Sequence, residues 1–148
     1  MKVLAQRVLD ASCIIDGETT AAIEEGLLIY VSFKKGDDSS VIPKMAEKTA
    51  KLRIFEDSEG KMNKSVLNTK GSVLAIPQFT LEASTKKGHR PSFTDALEPE
   101  KAETLFLYFV QRLKKEGITV KTGQFQTEMT IKSTNHGPVT VMMERGRP

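Results

Sequence analysis

Two short segments of this chain set conformationally unusual residues beside groups that can stabilise charge. The first is "PQFTL", Pro77 to Leu81. Proline takes a donor out of a β-ladder, so Pro77 marks an edge, a bulge or a strand end. The N–H groups of Phe79 and Thr80 are then able to point into a cavity, where paired donors would stabilise an oxyanion. Thr80 also offers a hydroxyl nucleophile, although nothing nearby in sequence is an obvious base for it. A plainer reading of the same residues is a bulged strand with a buried phenylalanine. The second segment is Gly137-Pro138 within "TNHGPVTVMM", beside the strand formers Val139, Thr140 and Val141. A cis bond there, uncommon even before proline, would aim two carbonyl oxygens the same way. Carbonyls aimed into a pocket accept hydrogen bonds from an ammonium group and leave little room for a side chain beside it. The plainer reading is an ordinary trans turn that opens the last strand, with Asn135 as a turn former and His136 as a surface histidine.

Arg7 lies in an otherwise apolar stretch. A guanidinium in that setting needs acceptors, and its planar fork can hold two carbonyls or a carboxylate; the alternative is an edge residue snorkelling to water. "KKGHR", Lys86 to Arg90, is a candidate phosphate contact or simply a solvated loop. Asp37-Asp38 and Glu56-Asp57 are paired carboxylates, but neighbours on a loop rarely share a site. No glycine-rich phosphate cradle is present, and His89 and His136 have no partner at H-x-x-x-H spacing. Cys13 is the one cysteine, which excludes an internal disulfide and a Cys-rich zinc site. No metal and no cofactor are therefore expected.

Regular elements must hold these groups. Residues 2–8 alternate in the manner of a strand, and Asp16-Gly17 is a two-residue hairpin signal. "GLLIYVSF" (26–33) is a continuous apolar run and reads as a central strand. Ser39 or Ser40 can cap a helix with Pro43 in its first turn and Ile42, Met45, Ala46, Thr49 and Leu52 on one face. Residues 53–57 read as a short strand, 58–66 as a turn with a polar extension, and 72–81 as the most hydrophobic strand. A long loop, 82–96, follows, and loops of that length usually have a job. A second helix starts near Pro99, with Glu98, Glu100 and Glu103 at its acidic end. Ala102, Leu105, Phe106, Phe109, Val110 and Leu113 form its stripe, and Lys114, Lys115 and Gly117 its stop. Residues 118–122, 128–134 and 138–144 read as the last strands. No repeat or interdomain linker interrupts residues 1–148, so the expected fold class is a single α+β domain, largely antiparallel, with two helices covering the sheet.

Composition sets outer limits. The chain has 148 residues, enough for one real core, and 39% hydrophobic with 28% charged residues fits a soluble globular protein. The net charge of +3 permits a polyanionic partner without demanding one. No apolar run reaches membrane-spanning length. The single cysteine and the lack of a signal peptide favour the reducing cytoplasm.

Taken together and in order, "AQRV", "LRIFEDSEGKMNKSV", "PQFTL", "KKGHRPSF", "TGQF", "EMTI" and "NHGPVT" closely resemble the D-aminoacyl-tRNA deacylases over nearly the whole chain. The Gln-Phe-Thr-Leu and Asn-x-Gly-Pro-Val-Thr segments are that family's signature motifs. The resemblance implies a homodimeric hydrolase with a β-barrel-like fold that removes D-amino acids wrongly esterified to tRNA. Its partners would be aminoacyl-tRNA and a second copy of the chain, with no membrane and no DNA. It implies a cis Gly137-Pro138 bond that reaches into the partner's pocket, where its carbonyls receive the substrate ammonium and an L side chain collides. Glycine has no side chain to collide, so glycyl-tRNA mischarged on tRNA-Ala would enter as well. Gln78, Phe79 and Thr80 would form the opposite wall, with the 2′-hydroxyl of the terminal adenosine helping to activate water. Arg7 matches the arginine that braces the Gly-Pro loop, and Phe125 and Met129 match residues lining the adenosine pocket.

One position departs from the family pattern. Where the signature motif usually begins with serine, this chain has Pro77. Proline there is typical of a sister group that acts on L-alanine mischarged on tRNA-Thr and has a trans Gly-Pro bond. "GLLIYVSFKKGDD" and "IPKM" also look like that group, whereas Phe79 and "NHGPVT" follow the D-specific pattern. A non-catalytic module that binds the tRNA end is a further alternative, motivated by the mild positive charge and the 82–96 loop.

Overall fold

The computed structural model describes residues 1–146. Its chassis is the first strand, β1 (Lys2–Ile15). One edge of β1 pairs antiparallel with β3 (Gly26–Ser32) over its first half and with β2 (Glu18–Ile23) over its second. The other edge pairs antiparallel with β8 (Thr130–Glu144) along almost its whole length. Beyond β3 the sheet continues in parallel through β6 (Ser72–Pro77) to β7 (Thr119–Thr122). The six strands form a nearly closed, barrel-like sheet, and a small antiparallel ribbon, β4 (Phe55–Glu56) with β5 (Met62–Lys64), stands apart from it. Antiparallel pairing prevails around β1. The two parallel pairs follow from the two helical crossovers, since parallel neighbours need a long connection.

Local sequence explains the elements. Asp16 and Gly17 have φ of +50° and +78°, the double positive φ that a type I′ hairpin turn requires. Helix α1 (Ile42–Ala50) buries Ile42, Met45, Ala46, Thr49 and Ala50. Its entry differs from the serine cap read in the sequence. A short 3-10 turn at Ser39–Val41 precedes the helix, and the Asp38 carboxylate caps that turn by accepting from the Ser40 N–H. Asp37 and Asp38 share no site: Asp37 accepts from the Met1 ammonium and from the Lys34 N–H. Helix α2 (Pro99–Lys115) buries Ala102, Phe106, Phe109, Val110 and Leu113 and packs on α1. Fully burying one such side chain contributes about 1.5–3 kcal/mol.

Strand alternation splits the interior in two. Leu27, Ile29 and Val31 of β3, with Val73 and Ala75 of β6, face the helices. The intervening Leu28, Leu74 and Ile76 join Val8, Ala11, Cys13, Ala21 and Ile23 on the opposite face. The run 26–33 is apolar at every position because both its faces are covered. Among the described residues, no helix is long and apolar enough to cross a membrane.

Two expectations about strands are corrected. The strand over 72–81 ends at Pro77, whose last partner is Val31, and the chain turns into a 3-10 turn at Phe79–Glu82. The segments 128–134 and 138–144 are one strand, because both halves pair with the continuous β1. Thr140 is opposite Gln6 and Asn135 is opposite Val8, so residues 136–139 bulge out over Arg7 alone. The Gly-Pro corner is thus a bulge within a long strand, the feature by which a strand re-aims backbone without ending its pairing.

Candidate active site

The 3-10 turn follows directly from the end of β6. The Gln78 N–H still donates to Val31 O at 2.8 Å. The first i→i−3 bond of the turn runs from Leu81 N–H to Gln78 O at 3.3 Å, and a further one from Ala83 N–H to Thr80 O at 3.1 Å. The N–H groups of Phe79 and Thr80 stand before that ladder, as the first donors of any helical turn do. Both residues are exposed. Among the described residues, no hydrogen bond joins the Thr80 hydroxyl to a base.

A buried polar cluster holds this turn from behind. Glu82, buried, accepts from the Ser32 hydroxyl at 2.5 Å and pairs with the Lys2 ammonium at 3.1 Å. The same ammonium donates to Leu81 O at 3.1 Å. A buried carboxylate is tolerated when paired and hydrogen-bonded in this way. The sequence did not announce Lys2, Ser32 or Glu82, because they lie on three separate segments and no motif links them.

In front of the turn lies a cavity of about 640 Å3. Pro77, Gln78 and Phe79 form one wall, Phe93 and Leu97 a second, Pro99 and Ala102 of α2 a third, and Phe125 to Met129 a fourth. Phe79 and Phe93 meet edge to face, with ring centroids 5.3 Å apart, and Phe125 leans on Phe106 at 6.3 Å. The lining is mostly apolar and aromatic, with the carboxylates of Glu98 and Glu128 also present. A concave site of this size and character suits a flat ring stacked between side chains. Phe93 and Leu97 were not singled out from sequence; the length of the 82–96 loop was a signal for Phe93, and none pointed to Leu97.

Arg7, Gly137 and Pro138 form a second cluster, absent from the lining of that cavity. The Arg7 guanidinium is buried and holds two carbonyls, His136 O through Nε at 2.9 Å and Ile54 O through Nη1 at 2.8 Å. It does not snorkel to water. Gly137 has a φ of +127°, and a Cβ added there would lie 3.0 Å from Arg7 Nη2 and 2.9 Å from the Val139 side chain. Only glycine fits both the conformation and the space. The Gly137-Pro138 bond is cis, and both residues are exposed. The His136 side chain is on the surface, and its carbonyl is what Arg7 uses.

The family model for D-Tyr-tRNA(Tyr) deacylase matches residues 4–144. The chain belongs to that family. A D-aminoacyl-tRNA deacylase of Chloroherpeton thalassium is 48% identical over 145 residues, 97% of this chain and 95% of that one. The D-aminoacyl-tRNA deacylase of Magnetococcus marinus is 45% identical over 145 residues, 97% and 96% of the two chains. Among solved structures, a c-Myc DNA unwinding element binding protein superposes with a TM-score of 0.93 at 34% identity, covering 99% of this chain and 100% of its own. The similarity to each of these three proteins spans nearly the whole of both chains.

Proposed function

We propose that the protein hydrolyses the ester that joins a D-amino acid to the 3′ end of tRNA, and that it does the same to glycyl-tRNA mischarged on tRNA-Ala. The observation that carries this reading is the 3-10 turn: Gln78 and Phe79 at its start line an aromatic cavity, and the N–H groups of Phe79 and of Thr80, the next residue, lead the turn, in a member of the deacylase family. The cavity takes the terminal adenosine, with Phe125 and Met129 among the groups around it. Water adds to the ester carbonyl, and the two N–H groups hold the oxyanion that forms. The intermediate then collapses, the 3′ oxygen leaves with a proton, and the free amino acid departs. The 2′-hydroxyl of the adenosine assists the water, so the protein supplies shape and backbone donors and no side-chain base.

Chirality is screened by main chain. The Gly137-Pro138 corner is exposed and lies outside the cavity of its own chain, so in this reading a homodimer places it in the cavity of the other copy. Its carbonyls accept from the substrate α-ammonium. An L side chain meets the corner, a D side chain points away, and glycine passes because it has nothing to collide. The site works by rejecting L more than by recognising D.

Release of D-tyrosine, glycine and L-alanine from their tRNAs tests the reading. Turnover of D-tyrosine and glycine is expected. No turnover of any of the three would remove the hydrolase reading and leave a module that only binds the tRNA end. Release of L-alanine without D-tyrosine would move the protein to the sister group, which Pro77 favours.

A further inference from the structure

The 82–96 loop is an ordered hairpin. Ser84 and Ser92 exchange both backbone hydrogen bonds, at 2.8 and 2.9 Å, and so close residues 85–91 into a tip. That tip carries Lys86, Lys87, His89 and Arg90, all exposed, and no residue from 83 to 94 is acidic. Among the described residues, no carboxylate pairs with Lys86, Lys87 or Arg90. Lys34 and Lys35 are brought beside the base of the hairpin, Lys34 by its bridge to Ala96 and Lys35 by its N–H bond to Asp95 O at 2.9 Å. The hairpin is also joined to the cavity. Phe93, one residue beyond its closing bridge, stacks edge-on against Phe79 and lines the cavity wall.

We propose that this hairpin is a phosphate-backbone grip for the acceptor arm of the aminoacyl-tRNA, engaging the strand as it leaves the cavity. The proposal rests on the deacylase reading of that cavity. Lys86, Lys87 and Arg90, in no ion pair among the described residues, fit a polyanion, because each phosphate they neutralise releases a condensed counterion. Their continuity with an aromatic cavity that accepts one nucleoside makes the rest of the same nucleic acid the occupant. Three carboxylates, Glu82, Asp95 and Glu144, share the groove at the hairpin base with Lys2, Lys34, Lys35 and Lys86; Glu82 pairs with Lys2, Glu144 with Lys34 at 3.9 Å, and none of the three pairs with Lys87 or Arg90 at the tip. The grip is indifferent to sequence, as a protein serving many tRNAs requires.

The test is a triple variant, Lys86→Gln, Lys87→Gln and Arg90→Gln, assayed on D-tyrosyl-tRNA and on D-tyrosine esterified to adenosine alone. On tRNA the KM is expected to rise about tenfold or more with kcat held, and the slope of log affinity against log salt to fall by about one for each phosphate that is no longer neutralised. On the adenosine ester, which has no arm, the variant should match the parent. A Lys86→Arg, Lys87→Arg variant should restore tRNA affinity, since charge and not shape is the requirement. Unchanged KM and salt slope on tRNA would overturn the proposal, as would an equal loss on both substrates. If the parent protein hydrolyses neither substrate, the deacylase reading fails by itself. Direct binding of uncharged tRNA then still decides the grip: weaker, less salt-sensitive binding by the triple variant upholds it, and equal binding sinks it.

Discussion

The turn at Phe79–Glu82 and the corner at Gly137-Pro138 both present backbone, yet they are held in opposite ways. The turn is anchored at both ends. Gln78 N–H bonds to β3 at its start, and the Glu82 carboxylate is fixed by Ser32 and Lys2 at its end. Its working face opens on a cavity formed by the same chain. The corner is a bulge in a long strand and is held chiefly from one side, by the Arg7 fork. Its working face opens on solvent. In the proposed reading the turn serves a cavity of its own chain and can be braced all round, whereas the corner would enter the cavity of a second copy and leaves a face bare for it. In that reading the turn stabilises the oxyanion, while the corner seats the substrate's ammonium and so screens handedness.

The sharpest way to break that division is Gly137→Ala. A methyl there would lie within 3.1 Å of the Val139 side chain, the Val139 nitrogen and Arg7 Nη2, at a φ of +127° that L residues avoid. Such strain costs on the order of 1–3 kcal/mol, enough to rebuild an exposed corner without unfolding the barrel. Turnover of D-tyrosyl-tRNA should fall about a hundredfold, equivalent to about 2.7 kcal/mol, with a small change in Tm. Full activity in a folded Gly137→Ala protein would exclude the corner from the site.

Arg7→Ala comes next. It unties the corner at His136 O and leaves the buried Ile54 O without its donor, and an unsatisfied buried acceptor costs about 1–3 kcal/mol. A loosened corner should admit L-tyrosine, so the ratio of D- to L-tyrosyl-tRNA turnover is expected to drop about tenfold, within that energy range. Arg7→Lys should rescue it poorly, because an ammonium is a point charge and not a fork. If activity and discrimination both survive Arg7→Ala, the bracing role is wrong.

How visible these regions were in the sequence follows from how local their physics is. The Asp16-Gly17 turn, the apolar run of β3 and the stripe and stop of α2 depend on neighbours in sequence, and the structure places them as read. The end of β6 at Pro77 was one of three readings of a missing N–H, and only the pairing with Val31 selects among them. The single long β8 was read as two strands because Gly137 and Pro138 look like punctuation. What carries the strand past them is β1, more than a hundred residues earlier in the chain. The Lys2–Ser32–Glu82 cluster was invisible for the same reason, since no spacing rule relates three residues that meet only across the sheet. The candidate roles of Phe79, Thr80, Gly137 and Pro138 were open from the residues themselves only as one reading beside plainer ones, and the family resemblance is what favoured them and added Gln78.

Glu82→Gln sharpens the other half of the comparison. The amide can still accept from Ser32, but it loses the charge that draws Lys2 onto Leu81 O. The turn should keep its shape and lose rigidity. A fall in kcat of about three- to tenfold is expected, or about 0.7–1.4 kcal/mol, with KM and the D to L ratio held. Ser32→Ala should act in the same direction. A change in selectivity without a change in kcat would assign Glu82 to the wrong wall.

Thr80→Ala should have the smallest effect, and for that reason it discriminates best between two mechanisms. A nucleophilic hydroxyl would make this substitution cost several orders of magnitude. A donor N–H is untouched by it, because alanine has the same backbone. Thr80 is exposed, and its hydroxyl has no base within hydrogen-bond reach among the described residues. The variant should therefore keep kcat within about threefold of the parent, under about 1 kcal/mol. A thousandfold loss in a protein of unchanged Tm would instead make the hydroxyl the attacking group. The two N–H donors would then be left with stabilising the oxyanion that Thr80 itself creates.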